Sequence, residues 1–213
     1  RRMDDAGQSV TPLSADTLRK LASLKNDYPT FASKLLRIRP KDGDLRSLSF
    51  NRAQLYIHEQ AEDQKRRTGR VRKVIVKGRQ QGCSTYVEGR AYHYTTTRKG
   101  RRAFILAHEQ EATNNIFEMA QRFYDNCPPR FRPHAGAANA KELHFDKLDS
   151  SIKVGTAGTK ATGRSQTINF FHGSEVAYWP FAETHAGGVM QTVPDIDDSE
   201  SWLESTAAGR GNY

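Results

Sequence analysis

Cysteine is nearly absent from this chain. There are two in 213 residues, Cys83 and Cys127, and they form no metal-ligand pattern. A reducing compartment is the expectation. No apolar run approaches the ~20 residues that a membrane-spanning helix needs. The opening Arg1-Arg2-Met3-Asp4-Asp5 is polar throughout, so no secretory leader is expected. Internal repeats and low-complexity tracts are missing too, which argues against solenoids and tails. Acidic residues are the scarcer charge. Against 33 Lys and Arg stand 24 Asp and Glu, a formal net charge of +9. That balance favours a polyanionic partner such as DNA, RNA or anionic lipid. The length suits one domain, or one domain with an arm, and leaves ample chain for a core.

Chemistry concentrates in Lys77-Gly78-Arg79-Gln80-Gln81-Gly82-Cys83-Ser84-Thr85. A short apolar run, Val74-Ile75-Val76, precedes it and reads as a buried strand. Tyr86-Val87-Glu88-Gly89-Arg90-Ala91-Tyr92 follows and can continue as a helix to about Thr97. Strand, glycine-containing loop, hydroxyl pair and helix make the layout of a phosphate-binding loop. Backbone N–H groups curl around an anion there, and the helix N-terminus adds partial positive charge. Aligning Gly82 with the second glycine of G-x-x-x-x-G-K-[ST] leaves Cys83 at the lysine position and Lys77 at the first glycine. A cysteine cannot neutralise phosphate, so Arg79 is the expected clamp and Lys77 the reserve. Gly78, Gln80, Gln81, Gly82 and Cys83 would offer backbone N–H groups. Ser84 is the expected magnesium ligand, with Thr85 second because the register is uncertain by one residue.

Two later segments extend the pattern. Ile168-Asn169-Phe170-Phe171-His172-Gly173-Ser174-Glu175 reads as an apolar strand ending in a carboxylate. Ser201-Trp202-Leu203-Glu204-Ser205-Thr206-Ala207-Ala208-Gly209 reads as a strand ending in Ser-Thr-x-x-Gly. Phosphate loop, glutamate-ended strand and Ser-Thr-x-x-Gly, in that order over residues 50–213, resemble the ATPase domain of tailed-bacteriophage terminase large subunits. In that family Arg-Gln-x-Gly-x-[Ser/Thr]-Thr is a familiar deviant phosphate loop. The resemblance implies an α/β P-loop NTPase fold of the additional-strand, catalytic-glutamate type, with a mostly parallel central sheet flanked by helices. It implies ATP and Mg2+ as cofactors and Glu175 as general base. Ser205, Thr206 and Gly209 would form the coupling motif, and Gln54 would read adenine. Arg164 would be a finger reaching into a neighbouring subunit. Implied partners are double-stranded DNA, a portal, a small terminase subunit and further copies in a ring, in the host cytoplasm. The aspartate usual before the catalytic glutamate is Ser174 here, a weak metal ligand at best. No nuclease-type carboxylate cluster is present, so DNA cleavage by this chain is not expected.

The remaining chain fits around this frame. Residues 1–49 read as a helical arm or lid, and residues 50–213 as the ATPase domain. Ser14 caps a first helix. A second helix is expected over 31–38, ended by Pro40. Lys41-Asp42-Gly43-Asp44 is a turn. A long helix should run from about Phe50 to Arg67. The basic run Lys65-Arg66-Arg67-Thr68-Gly69-Arg70-Val71-Arg72-Lys73 reads as a surface loop able to track a DNA backbone. Residues 103–107 read as a strand and 108–126 as a helix start and helix, with His108 a capping or packing residue. Residues 143–145 and 151–156 read as a hairpin pair. The glycine- and threonine-rich 157–166, which holds Arg164, is where a function-bearing loop is expected. Residues 182–191 read as a helix or irregular segment.

Two other classes of function fit some of these features. A basic nucleic-acid-binding module with a weakened nucleotide site would explain Cys83 and Ser174. A helicase-like ATPase would explain Gln54, but further helicase motifs and a second motor domain are not visible.

Overall fold

The computed structural model describes residues 14–40, 42–136, 141–158, 167–180, 188 and 191–209. The segment expected at 182–191 therefore lies almost wholly outside the described residues. Helix α1 spans Ala15–Asn26 and starts as expected: Ser14 Oγ accepts the Thr17 N–H at 3.2 Å. Helix α2 spans Tyr28–Leu35, earlier than the sequence suggests. Pro29 sits in its first turn, where a missing N–H is harmless, and Asp27 caps it. The expected last turn is instead extended. Arg37–Ile38 is strand β1, paired antiparallel with β2, Arg46–Ser47.

Helix α3, Arg52–Thr68, carries a capping box of Asn51 and Gln54 and stops at Gly69, whose φ of 74° is left-handed. Strand β3 is Val71–Lys77, helix α4 Cys83–Thr96, strand β4 Arg102–Ala107 and helix α5 Gln110–Asp125. Strands β5 (Glu142–Phe145), β6 (Ser150–Thr156), β7 (Phe170–Ser174) and β8 (Glu200–Thr206) follow. The sheet has the order β3-β8-β7-β4-β6-β5. All neighbours are parallel except the expected hairpin β5–β6. This is the mostly parallel α/β architecture that strand–helix alternation predicts.

The Val74-Ile75-Val76 run departs from expectation. Strand β3 lies at the sheet's edge, so Val74 and Val76 are 74% and 78% exposed, while Ile75 packs on the core. The two faces also differ. The main core joins α2 through α5 to Val71, Ala103, Ile105, Ile152, Phe170 and Trp202. The opposite face carries a smaller cluster around Phe104, Leu106, Phe171 and Trp179.

The basic run 65–73 is not a loop. Its first four residues end α3 and its last three begin β3. Most of its cations are paired: Lys65 with Asp198 and Glu200, Arg66 and Arg67 with Asp63, Arg70 with Asp195. Arg72 bonds Ser199 through its carbonyl and its hydroxyl. A phosphate backbone would have to compete with these partners.

The N-terminal segment stays outside the large sheet yet is part of the core. Tyr28, Phe31, Leu35, Leu36 and Leu48 are buried on α4. Gly89 makes that approach possible. A Cβ there would lie 2.5 Å from Tyr28 Oη, 3.0 Å from Leu36 and 3.1 Å from Leu48. Tyr28 Oη in turn donates to the Tyr86 carbonyl at 2.7 Å. Gly89→Ala should therefore lower stability, because overpacking of about 1–3 kcal/mol outweighs the helix-propensity gain of about 1 kcal/mol. Thermal melts of Gly89→Ala and of Gly89→Ala/Tyr28→Phe check this. The double variant relieves the closest contact but loses the Tyr28–Tyr86 hydrogen bond, so it should recover only part of the loss.

Candidate nucleotide site

Residues 78–82 make the turn between β3 and α4. Gln80 (φ 62°) and Gly82 (φ 75°) both adopt the left-handed region. At Gly82 a side chain is also excluded by space, since a Cβ would lie 2.8 Å from Gln54 Nε2. The start of α3 holds this turn from outside. Asn51 Nδ2 donates to the Gln81 carbonyl at 3.2 Å, and Gln54 Nε2 donates to the Gly82 carbonyl at 2.8 Å. Gln54 Oε1 accepts the Asn51 N–H at 2.9 Å. The amide expected to read adenine is thus buried and engaged at both ends, as a clamp on the loop. As at any helix start, the first N–H groups of α4 have no intrahelical partner, while the Gly82 carbonyl accepts the Tyr86 N–H at 3.0 Å as well as the Gln54 amide.

Three strand ends meet beside the loop, because β8 lies between β3 and β7. The register sets Lys77 opposite Thr206 and Ser174 opposite Glu204. Glu175 follows β7 in a left-handed conformation (φ 51°, ψ 49°), a strained state for a non-glycine residue that turns its side chain out of the strand path. Lys77 Nζ donates to Glu175 Oε1 at 2.7 Å. Glu175 Oε2 accepts from the Thr206 N–H at 2.9 Å, Thr206 Oγ1 at 3.0 Å and Ser205 Oγ at 3.4 Å. The loop lysine, the strand-end carboxylate and the Ser-Thr segment are therefore one hydrogen-bonded set.

A deeper layer lies below. Glu204 is fully buried, and its Oε1 accepts from both Ser84 Oγ and Ser174 Oγ, each at 2.8 Å. Its Oε2 stands 2.8 Å from Lys77 Nζ. His172 Nε2 lies 3.5 Å from Oε1, a charge contact rather than a good hydrogen bond, while Nδ1 meets Glu88 Oε1 at 2.6 Å. Burial alone would neutralise these groups. For Glu204 it is outweighed by His172 and Lys77, which hold its carboxyl down at about 2. Burial likewise opposes charge on His172, but Glu204 and Glu88 raise it to about 9. Lys77 is desolvated yet held above its usual value by Glu175 and Glu204. Glu175 is desolvated yet held below its usual value, chiefly by Lys77 and the Thr206 N–H. Burial pushes the Cys83 thiol up, so it stays protonated and neutral.

A cavity of about 370 Å³ opens over this set, walled by Lys77, Arg79, Gln80, His108, Glu175 and Thr206, with Tyr178 beside them. A second groove of about 500 Å³ runs along the β3 edge, between Tyr56 and Ile57 of α3 and Val74 and Val76. Among the described residues no carboxylate pairs with Arg79. Thr85 stands one residue further into α4 than Ser84, and Gly209 (φ 93°) three residues past β8. Arg164 lies outside the described residues. The structure thus gathers Lys77, Ser84, Ser174, Glu175, Ser205 and Thr206, lines the cavity with Arg79, and turns Gln54 to another task. Glu204, His172 and Glu88 escaped sequence reading. Only the strand order puts Glu204 beside Ser174.

This arrangement is an α/β domain with a loop at a strand end facing a carboxylate on a nearby strand. Solved structures narrow the fold to that of phage large terminase ATPase domains. The HK97 bacteriophage large terminase matches with a TM-score of 0.70 at 12% identity, over 88% of this chain and 39% of that one. The ATPase domain of the Thermus phage P74-26 large terminase matches at 0.57 and 18% identity, over 76% and 67%. A thermophilic bacteriophage large terminase in complex with ATP-γ-S matches at 0.51 and 13%, over 73% and 38%. The chain thus spans about two fifths of the HK97 protein's length. No family model matches the sequence, and no curated protein does.

The His172–Glu204 contact carries a pH signature. A histidine raised to about 9 contributes stability that is fully present below its unfolded value near 6.5 and is lost as pH rises through about 9. Stability should therefore fall by roughly 1–3 kcal/mol between pH 7 and 9.5. Urea melts across that range check this, and His172→Gln should flatten the alkaline limb.

Proposed function

We propose that this chain is the ATPase engine of a phage DNA-packaging motor. It hydrolyses Mg2+-ATP and uses the cycle to drive double-stranded DNA into a procapsid. The observation carrying this reading is the bonded set of Lys77, Glu175 and Thr206 at the mouth of a phosphate-type loop. It occurs on a fold shared with large terminase ATPase domains, one of them solved with ATP-γ-S.

The residues divide the work. Loop N–H groups from Gly78 to Cys83 cradle phosphate, and Lys77 and Arg79 neutralise it. Ser84, with Thr85 behind it, would hold magnesium, which supplies further charge neutralisation across the phosphates. Glu175 is the general base. Both its oxygens are engaged, so an entering phosphate must draw Lys77 away before Oε1 can accept a proton from water. The Thr206 N–H reports that change directly to β8, which makes Ser205, Thr206 and Gly209 a coupling segment. The net charge of +9 suits a DNA partner. A portal, a small terminase subunit and a ring of further copies complete the assembly, in the host cytoplasm. No described helix is long and apolar enough to cross a membrane.

Glu175→Gln keeps the shape and removes the base. Nucleotide binding should persist while hydrolysis falls by about 10²–10⁴-fold. Turnover assays with and without DNA, beside nucleotide titrations, check this. A basic binding module without turnover would show no difference between the two proteins.

Arg164 is assigned as a finger acting on a neighbour's nucleotide, worth about 10³–10⁵ in rate. Chains carrying Arg164→Ala and chains carrying Glu175→Gln should each be inactive alone. Mixed, they should regain turnover at interfaces that pair an intact Arg164 with an intact Glu175. No recovery despite co-assembly would confine Arg164 to its own subunit.

A further inference from the structure

We propose that Glu204 is the carboxylate that positions the magnesium-holding hydroxyl of this site, doing from β8 what an aspartate at position 174 would do from β7. The inference rests on the Mg2+-ATPase reading above and deepens it.

The geometry is specific. Ser84 stands in the first turn of α4, at the end of the phosphate-type loop, and its hydroxyl donates to Glu204 Oε1 at 2.8 Å. Ser174 donates to the same oxygen at the same distance. Ser174 and Glu204 are direct partners in the parallel β7–β8 ladder. Side chains opposite each other in a ladder leave the same face of the sheet, one strand spacing of about 4.8 Å apart. Glutamate is one methylene longer than aspartate, so a carboxylate rooted on β8 can reach a place that a shorter one would occupy from β7. The serine left at position 174 does not compete for that place. It supports the displaced carboxylate with a hydrogen bond.

The surroundings are a connected charge network rather than a simple ion pair. Three carboxylates, Glu88, Glu175 and Glu204, face one lysine and one imidazole within a single connected cluster. Magnesium takes oxygen ligands, usually one or two from the protein, with substrate phosphates and waters completing the shell. A ligating hydroxyl must point its lone pairs at the ion. Donating its proton to a fixed carboxylate does that, and such supporting partners are typically worth 10–100-fold in metal affinity. Glu204 is fully buried, Lys77 stands 2.8 Å from its other oxygen as a charge contact, and His172, itself anchored by Glu88, lies behind it. Glu204 is thus a positioning residue, with Ser84 the group that touches the ion.

The test is binding, not turnover. A fluorescent methylanthraniloyl-ATP is titrated onto the whole chain in Mg2+ and in EDTA. The wild-type chain should bind more tightly with Mg2+. In Glu204→Gln the ratio of Mg2+ to EDTA affinity should drop by about tenfold or more, whatever the change in EDTA affinity that follows from freeing Lys77. Ser174→Asp added to Glu204→Gln returns a carboxylate to the same place from β7 and should restore most of the enhancement. A general structural role would not be rescued that way. Should Glu204→Gln fail to fold, Glu204→Asp decides. It keeps the charge, falls short of Ser84, and should lose the enhancement while still melting in one cooperative transition. Wild-type Mg2+ enhancement in whichever Glu204 variant folds, or absence of rescue by Ser174→Asp, overturns the assignment while leaving the ATPase reading standing. Failure of the wild-type chain to bind nucleotide under either condition overturns that reading, and this assignment with it.

Discussion

A carboxylate sealed from water is costly unless its charge and lone pairs are fully met, and Glu204 is such a group. Two serine hydroxyls, an ammonium and an imidazole meet it, and they come from three elements: Ser84 from α4, Ser174 and His172 from β7, Lys77 from β3. Removing one partner would strand buried charge, typically a loss of about 3–5 kcal/mol. The start of α4, the end of β3 and the end of β7 are therefore tied to one point. Glu175, one residue past Ser174, inherits that fixed position and needs only Lys77 and the Thr206 N–H to complete its own set.

The same strand repeats the device at its other end. Alternation along β8 turns Glu200, Trp202 and Glu204 to the α4 face. Glu200 is gripped by Arg90 at 2.7 and 3.0 Å and by the Trp202 indole N–H at 3.0 Å, which with Lys65 holds its carboxyl near 2 despite burial. Arg90 also lies 5.3 Å from the centre of the Trp202 ring and bonds Glu62 of α3. Helix and strand are thus pinned at two charged points with an aromatic contact, Tyr86 on Trp202, between them. Hydrophobic burial alone would let α4 slide along the sheet. Two acids four residues apart set its register, and with it the position of Ser84.

Local signals in the sequence were read well where local physics decided the outcome. The Ser14 cap, the strand–loop–helix around 77–84, the β5–β6 hairpin and the strands ending near Glu175 and Thr206 all depend on neighbours in the chain. What escaped depends on which strands pair. Val74 and Val76 look like core residues until β3 is known to be an edge. Glu204 looks like a surface residue of an alternating strand until β8 is known to lie against β7. Gln54 has the right place to read a base, but its capping role and its bond to Gly82 require the loop to be folded back onto α3. The basic run 65–73 looks free because, Asp63 apart, the acids that pair with it, Asp195, Asp198 and Glu200, lie more than a hundred positions away. Leu36 and Ile38 continue an apolar pattern after Leu35, yet the turn at Gly43 brings Arg37 and Ile38 a strand partner instead.

The order of the sheet also governs how the site comes into being. Strand β3 is made before the other strands of this sheet, but among the described residues its one ladder partner is β8, some 130 positions later. Until β8 inserts between β3 and β7, the loop strand has no sheet to join. Such long-range pairing forms late and slowly, because chain closure must be completed before any contact rewards it. A ribosome-bound chain that has finished the phosphate-type loop therefore still lacks the loop's floor. The floor of the candidate site is complete only when the closing strand is in place.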